Sequence, residues 1–514
     1  MKWNSILTGF IIALLFPPFL SVNGADIDTI TPATPDLSKE AYALLEVFYT
    51  LSGKYILTGQ HNYPNTRDRN SKFAAEYTGK TPVIWSTDWG HAREGDSDSY
   101  LARPDIVDEA IRQHKLGSIV TICWHAVPPT ADEPVTFRPL PGASPDSLAS
   151  VQGQLLDRQF RDVLTPGTEL YKCWCSQVDS IAGYLKKLQE AHVPVLWRPY
   201  HEMNGDWFWW GGRQGEYSTK ALYLQLFDRL VNYHKLNNLI WEWSVDRPNK
   251  AEMQFSNFYP GNEYLDILAL DVYQNDFNKI YYDSLLALSE GKPIVLGEVG
   301  NPPSLTVLDE QPDWAYYVTW AGMVRNTLKK QYDILLSDPR VLGREDAAYC
   351  KIIAPYRAVC GLPPLTPEET HPKDFTGNWI INEEESILDN NGASNLPYKL
   401  HISMEDNKIM IQRTTIVEYA DDALTEEALP LDGTEVRSEF RNFPKGTTAE
   451  FSEKGDTLYI NSKITFTWDG QTMEAITQEK WTIEKFKKSL FIRQYSHSPW
   501  GEQNITIVFD RQTI

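Results

Sequence analysis

Cysteine and basic charge are both scarce in this chain. Its 514 residues hold five cysteines, and 48 Lys and Arg stand against 69 Asp and Glu. The net charge of −21 excludes a nucleic-acid partner, which would need a basic face for phosphates. It fits a protein acting on a neutral substrate, although acidity alone selects none. No Cys/His spacing suits zinc, no EF-hand loop occurs, and no glycine-rich phosphate loop follows an apolar run, so neither metal nor cofactor is implied. Five is an odd number of cysteines for an exported chain. Cys350 and Cys360 flank a short segment and could pair, Cys173 and Cys175 are too close to pair comfortably, and Cys123 lies in an apparent buried strand as an inert core thiol.

Long apolar runs are missing as well, except at the start. Met1 to Gly24 reads as a secretory signal: Lys2 gives a basic start, Ile6 to Leu20 an apolar centre, and Val22 and Gly24 sit at −3 and −1 of a cut before Ala25. Pro17 and Pro18 break that run, which is shorter than the roughly 20 residues of a membrane span. The chain is therefore expected to be exported, to a periplasm or out of the cell, with no integral membrane segment.

Aromatic residues are abundant, with 17 Trp and 26 Tyr. Their densest cluster follows Trp197-Arg198-Pro199-Tyr200-His201-Glu202-Met203-Asn204-Gly205-Asp206, as Trp207-Phe208-Trp209-Trp210. The apolar run Val193-Pro194-Val195-Leu196 before this block reads as the end of a buried strand. Glu202 thus stands at a strand end beside indoles, as a sugar-cleaving site requires: the acid protonates a glycosidic oxygen and flat rings take up the apolar faces of pyranoses. Four adjacent aromatics in an extended segment cannot all face one core, because neighbours point to opposite sides. A second carboxylate ends a matching run, Ile294-Val295-Leu296-Gly297-Glu298. Retaining glycosidases need one protonated and one ionised carboxyl about 5–5.5 Å apart.

From Asp36 to Pro364, short apolar runs alternate with helical patterns. Strands are expected at Tyr55–His61, Pro82–Trp89, Ser118–His125, the Glu202 segment, Asn238–Trp243, Leu265–Tyr273, the Glu298 segment and Ala315–Trp320. Helices are expected at Asp105–Arg112, Ile181–Leu188 and Ala221–Val231. Eight such units fit an α/β fold, a (β/α)8 TIM barrel, with His61, Trp89, His125, Glu202, Trp243, Tyr273, Glu298 and Trp320 at strand C-terminal ends, where sites of that fold lie. A doubly wound sheet would want the missing phosphate loop. Thr130 to Pro166, rich in Pro and Asp, makes a large loop after the third strand.

After Pro364 the texture changes. Residues 365–373 read as a linker, and 374–514 as a smaller all-β domain, an antiparallel barrel or sandwich, from alternating runs such as Lys399–Met404 and Leu458–Trp468 with turn pairs Asp406-Asn407 and Asp469-Gly470. Its opening Phe375-Thr376-Gly377-Asn378-Trp379 resembles the Gly-x-Trp start of lipocalin-like barrels. Nothing in the sequence assigns this domain a role.

Taken in order, Gly59-Gln60-His61, Trp124-His125, the His201-Glu202-Met203-Asn204-Gly205 block with its aromatic tail, Tyr259-Pro260-Gly261, Leu270-Asp271-Val272-Tyr273 and Gly297-Glu298-Val299-Gly300 resemble glycoside hydrolase family 26, best known for β-mannanases. The resemblance covers residues 36–364 and implies a barrel cleaving β-1,4-mannosidic linkages with retention, in mannan, galactomannan or manno-oligosaccharides. It implies Glu202 as acid/base and Glu298 as nucleophile. His125 and His201 would bond the sugar or tune Glu202, Tyr273 and Arg198 would orient Glu298, and Trp207 and Trp320 would stack on sugar rings. Trp89, Trp124 and Trp243 are further candidate platforms. The sequence departs from many family members at Asp88-Trp89-Gly90-His91-Ala92-Arg93-Glu94, which is polar and charged. The rival readings are a retaining β-glycanase on xylan or mixed-linkage glucan, and a glycan-binding protein without catalysis.

Overall fold

The computed structural model describes residues 30–64, 66–91, 102–366, 374–388, 396–405, 407–417, 421–452, 455–468, 471–483 and 489–512. The signal segment, most of the linker, Ala92 to Glu94, Asp406 and the Asp469-Gly470 turn lie outside these. The chain divides into two compact units, one taking residues up to 70, 83–342 and 352–363, the other 71–82, 343–351 and 364–514.

The first unit is a closed parallel barrel. Its first stave is split into β1 (Ile56–Leu57) and β2 (Gly59–His61), followed by β3 (Ile84–Asp88), β4 (Ile119–Trp124), β5 (Val195–Pro199), β6 (Leu239–Asp246), β7 (Ile267–Val272), β8 (Ile294–Val299) and β9 (Trp314–Thr319), with β10 (Val341–Leu342) flanking β1. Each stave pairs in parallel with the next, and β9 returns to β1 and β2, closing the ring. Every residue of β3 to β9 is buried, as expected of strands covered on both faces. The eight expected strands therefore stand, trimmed by a residue or more at most ends.

The intervening helices follow from caps and periodicity. Thr168 caps the helix Glu169–Glu190 by accepting from the Tyr171 amide, Glu169 complements its first turn, and Trp174, Val178, Ile181, Ala182, Leu185 and Leu188 form its buried stripe. Truncating Leu185 there would cost about 2–5 kcal/mol. The expected helix Ala221–Val231 is an α-helix over Thr219–Phe227 that widens to π geometry over Asp228–Tyr233.

One irregularity positions the chemistry. Leu270 pairs with Leu296, but Asp271 pairs with Glu298, so Gly297 is the extra residue of a β-bulge in β8. A Cβ on Gly297 would sit 2.9 Å from Arg198 Nε and 3.1 Å from Asp271 Oδ1. Only glycine fits there, and the bulge sets the phase in which the next residue, Glu298, faces the barrel mouth.

The second unit is an antiparallel barrel-like sheet of ten strands: β11 (Gly377–Ile381), β12 (Lys399–Glu405), β13 (Lys408–Thr415), β14 (Ala423–Pro430), β15 (Val436–Phe440), β16 (Phe443–Phe451), β17 (Leu458–Trp468), β18 (Gln471–Ile483), β19 (Leu490–Ser498) and β20 (Gly501–Arg511). Neighbours in sequence pair throughout, except that β11 joins β20 and β14 stands at the opposite end of the order from β15. The sheet curls until Asp432 bridges Glu450 and Lys445 Nζ on β16 reaches Glu427 Oε1 on β14 at 2.5 Å. Trp379 and Trp481 are fully buried inside, among Leu400, Ile411, Ile460 and Phe509. Among the described residues, no helix is long and apolar enough to cross a membrane.

All five cysteines are free thiols. Cys350 and Cys360 do not pair, because nearly ten residues of one helix, Ala347–Val359, separate them, about 15 Å of rise. Ellman's reagent should therefore find all five thiols in the unfolded chain without reductant, with the exposed Cys173 reacting first in the folded protein. A titre of three after unfolding would instead reveal a disulfide.

Candidate active site

Arg198, on β5, lies buried at the barrel axis and organises the site. Its Nη2 donates to Asp271, its Nε donates to Ser244 Oγ at 3.0 Å and lies 3.7 Å from Glu242 Oε1, and its Nη1 faces Glu298 Oε2 at 3.4 Å. Burial alone would favour its neutral form, but Asp271 and Glu298 outweigh that and hold the proton firmly. Tyr273 donates its hydroxyl to the other Glu298 oxygen, Oε1. Asp271 and Tyr273 are two residues apart on one strand and so share a face. Tyr273 reaches Glu298 directly, and Asp271 reaches it through Arg198. Burial and the Glu298 charge push the Tyr273 hydroxyl far above the usual phenol range, so it stays a donor.

Glu202 sits just past β5 in the left-handed region, φ 50°, as does Tyr200, φ 48°. Such conformations cost about 1–3 kcal/mol each and persist only where surroundings enforce them. Asn204 does so here. Its side chain donates to the Asp246 carbonyl (2.6 Å) and the Met253 carbonyl (3.1 Å) and accepts from the Asp246 amide (2.8 Å). Glu202 is 9% exposed, and its carboxyl accepts from Trp207 Nε1 at 2.6 Å. Burial, then the charges of Glu298 and Asp246, push the Glu202 carboxyl up to about 8, against the opposing pull of Arg198 and Trp207. At neutral pH it is an acid with a proton to give. Gly205 makes room for that contact: a Cβ there would meet the Trp207 ring at 2.1 Å.

Beside the acid, His125 Nδ1 meets the buried Asp88 carboxylate, and His125 Nε2 lies 3.2 Å from His201 Nε2. Burial would raise Asp88, but His125 and the Gly90 amide hold it far below the usual carboxylate range. An ionised Asp88 accepts a hydrogen bond from the Nδ1–H of His125. Burial first, then His125 and Arg198 beside it, keep His201 neutral. Among the described residues, His201 Nδ1 is buried without a hydrogen-bond partner. Donor atoms of Asp88, His91 and His125 lie within 4.8 Å of one another, close enough to hold a metal. The Asp88 oxygens are already engaged by His125, Gly90 and Cys123, which suits an anchor for His125.

The aromatic tail behaves differently from the expectation. The segment is a chain of turns rather than extended, so side-chain alternation does not apply, and Phe208, Trp209 and Trp210 are all buried. Phe208 and Trp210 stack at 4.4 Å beneath the histidines, and Trp210 Nε1 donates to the His201 carbonyl at 3.0 Å. Only Trp207 keeps partial exposure. Trp320, half-buried at the end of β9, stacks on His61 with ring centroids 3.9 Å apart. Trp89, Trp124 and Trp243 are buried and serve the barrel as packing, not as platforms. Part of the long loop straps the tail down: Gly153 N donates to the Trp207 carbonyl at 2.8 Å, and Gln154 Nε2 to those of Asp206 (3.0 Å) and Phe208 (2.7 Å).

A family model described as glycosyl hydrolase family 26 matches residues 33–345. The chain belongs to glycosyl hydrolase family 26. Among similar proteins, a mannan endo-1,4-beta-mannosidase of Thermothelomyces thermophilus is 32% identical over 334 residues, 61% of this chain and 64% of that protein. The chain therefore spans less than two thirds of that relative. The solved structure of GH26A from Muricauda sp. MAR_2010_75 is 40% identical with a TM-score of 0.56, covering 60% of this chain and 98% of that one. A Podospora anserina GH26-CBM35 beta-(1,4)-mannanase is 27% identical with a TM-score of 0.52, over 64% of this chain and 69% of that one.

Within this family 26 barrel, Arg198, Tyr273 and Glu298 form one connected set, His125 and His201 a second, and Trp207 joins Glu202. Asp88, Asp271, Asn204 and Gln154 were not singled out as site residues from the sequence. Two of them had a signal: Asp271 its two-residue spacing from Tyr273, and Asn204 its place in the His201-Glu202-Met203-Asn204-Gly205 block. Two substitutions test the origin of the raised acid by carboxyl carbon-13 NMR. Asp246→Asn removes a neighbouring negative charge and should lower the Glu202 titration from about 8, whereas Trp207→Phe removes a donor to the carboxylate and should raise it. Movement of either in the opposite sense would refute this electrostatic account.

Proposed function

We propose that the barrel is a retaining glycoside hydrolase that cleaves β-1,4-mannosidic linkages in mannan, galactomannan or manno-oligosaccharides, in an exported protein. One observation carries the reading. Two buried carboxyls at the ends of β5 and β8 are close enough for the charge of one to raise the other, and their surroundings differ. Glu202 has buried surroundings that keep its proton against the pull of the Trp207 indole N–H, while Glu298 has a guanidinium and a phenol aimed at its two oxygens. This is the division of labour that double displacement requires.

Glu298 attacks the anomeric carbon while Glu202 protonates the departing oxygen, so the glycosidic bond breaks as the glycosyl-enzyme ester forms. The negative charge of Glu298 is thereby lost, the largest charge raising Glu202 disappears, and Glu202 can release its proton. It then takes a proton from water, which attacks the same carbon, and the ester breaks with net retention. The His125–His201 pair and Trp207 face the sugar, and Trp320 supplies a ring beside it. The mannan assignment rests on the relatives, and the two-step chemistry on the pairing of the carboxyls.

Glu202→Ala and Glu298→Ala should each reduce hydrolysis of linear mannan by several orders of magnitude. Azide should rescue the Glu298→Ala variant with an inverted glycosyl azide, and the Glu202→Ala variant with a retained one. The reverse pattern would exchange the roles, and cleavage of xylan or mixed-linkage glucan in place of mannan would keep the chemistry and overturn the substrate. In the active enzyme the rate should fall as pH rises through about 8, because the acid is then deprotonated.

A further inference from the structure

An open depression of about 650 Å³ lies on the outer face of the second unit, lined by that unit's own residues. Ile460, Trp481, Ile492 and Ile505 point into the core, so the residues alternating with them point outward. Strand register lines these up in two rungs. Tyr459, Lys480, Arg493 and Thr506 are successive cross-strand partners on β17 to β20, and Asn461, Gln478, Tyr495 and Asn504 form the adjacent rung on the same face.

The charge pattern is specific. Lys480 and Arg493 stand directly opposite each other, an arrangement that destabilises a sheet when both are positive. Among the described residues, neither head group has a hydrogen-bond or ion-pair partner. In a chain with 69 carboxylates against 48 cations, composition alone does not leave two adjacent cations unanswered. Two carboxylates line the same depression: Glu450 stands two strands from Lys480, roughly 9–10 Å away, with Tyr459 between them, and Glu479 turns inward to Arg413 at 3.1 Å, while Glu502 on the outer face is engaged by Tyr495 and by His497 at 3.3 Å. An anion bridging Lys480 and Arg493 would relieve their repulsion through charge-assisted hydrogen bonds. Around that point, the amides of Asn461, Gln478 and Asn504 each offer donors and an acceptor, as hydroxyl pairs require. Tyr459, 36% exposed, and Tyr495 offer aromatic surface.

We propose that this face is a second carbohydrate site, for an oligosaccharide bearing a carboxylate. The carboxylate lies between Lys480 and Arg493, neighbouring hydroxyls engage the amide rung, and a ring face lies on tyrosine. The site stands whether or not the barrel cleaves mannan.

The test is calorimetric titration of the full chain, carrying Glu298→Ala so that nothing is hydrolysed, with tetragalacturonate, mannotetraose and sodium acetate. Tetragalacturonate should bind saturably and weaken with added salt, mannotetraose should bind this face at least about tenfold more weakly, and acetate should not compete at equal concentration. The double substitution Lys480→Ala with Arg493→Ala should weaken tetragalacturonate binding at least tenfold with Tm unchanged or raised, since it removes the cross-strand repulsion, and Gln478→Ala, which keeps both cations, should weaken it severalfold. Absence of tetragalacturonate binding, or binding untouched by the double and Gln478 variants, would overturn the site. Equal binding of mannotetraose, lost in the double variant, would overturn the anionic ligand, and full competition by acetate would reduce the site to an anion hole and overturn the glycan.

Discussion

A single buried guanidinium holds the barrel's candidate site together. Arg198 is taken out of water, at a cost of several kcal/mol for an isolated charge, and Asp271, Glu242, Ser244 and Glu298 offset that cost. Tyr316 donates to Glu242 at 2.6 Å, so the network reaches from β9 through β6 to β5 and on to β7 and β8. The planar fork with its several donors is what lets one side chain address so many acceptors, and an ammonium could not replace it. The bulge at Gly297 belongs to the same constraint, because a side chain there would occupy the space of the Arg198 head group. The direction of Glu298 is thus fixed by charge and by a missing Cβ together.

The acid depends on a different device. Its loop is strained at Tyr200 and Glu202, clamped by Asn204, packed beneath by Phe208 and Trp210, and strapped from above by Gly153 and Gln154. Desolvation, which would be wasteful for a carboxylate meant to be ionised, here keeps the proton on Glu202. The two carboxyls therefore sit in different surroundings built by different strands: salt-bridged and hydrogen-bonded on β7 and β8, aromatic and dry after β5.

The second unit balances its own buried charge. Inside its barrel, Arg413 meets Glu479 at 3.1 Å and Glu427 at 3.7 Å, and Lys445 meets Glu427 at 2.5 Å, two cations for two anions. Trp481 Nε1 donates to Glu479 at 2.8 Å, and Arg413 lies over the same ring. The contrast with Lys480 and Arg493 on the outer face, adjacent and unanswered, is what distinguishes a structural network from a surface prepared for a ligand.

The sequence by itself determined the barrel and both of its carboxyls. Period-2 and period-3.6 patterns report which faces are buried, and a parallel strand buried on both sides leaves a continuous apolar run that ends where polar side chains begin. The antiparallel character of the second unit was legible for the same reason, in alternating runs such as Lys399–Met404. Only the tertiary structure decided which aromatics are core, because Trp207 to Trp210 follow a turn-rich path whose directions no periodicity encodes. It also decided that Cys350 and Cys360 stay apart, that Gly297 is a bulge, and that Asp88, Asp271 and Gln154 support the site. Those roles depend on contacts between strands and loops far apart in the chain, where distance and desolvation, not residue type, set what a side chain does.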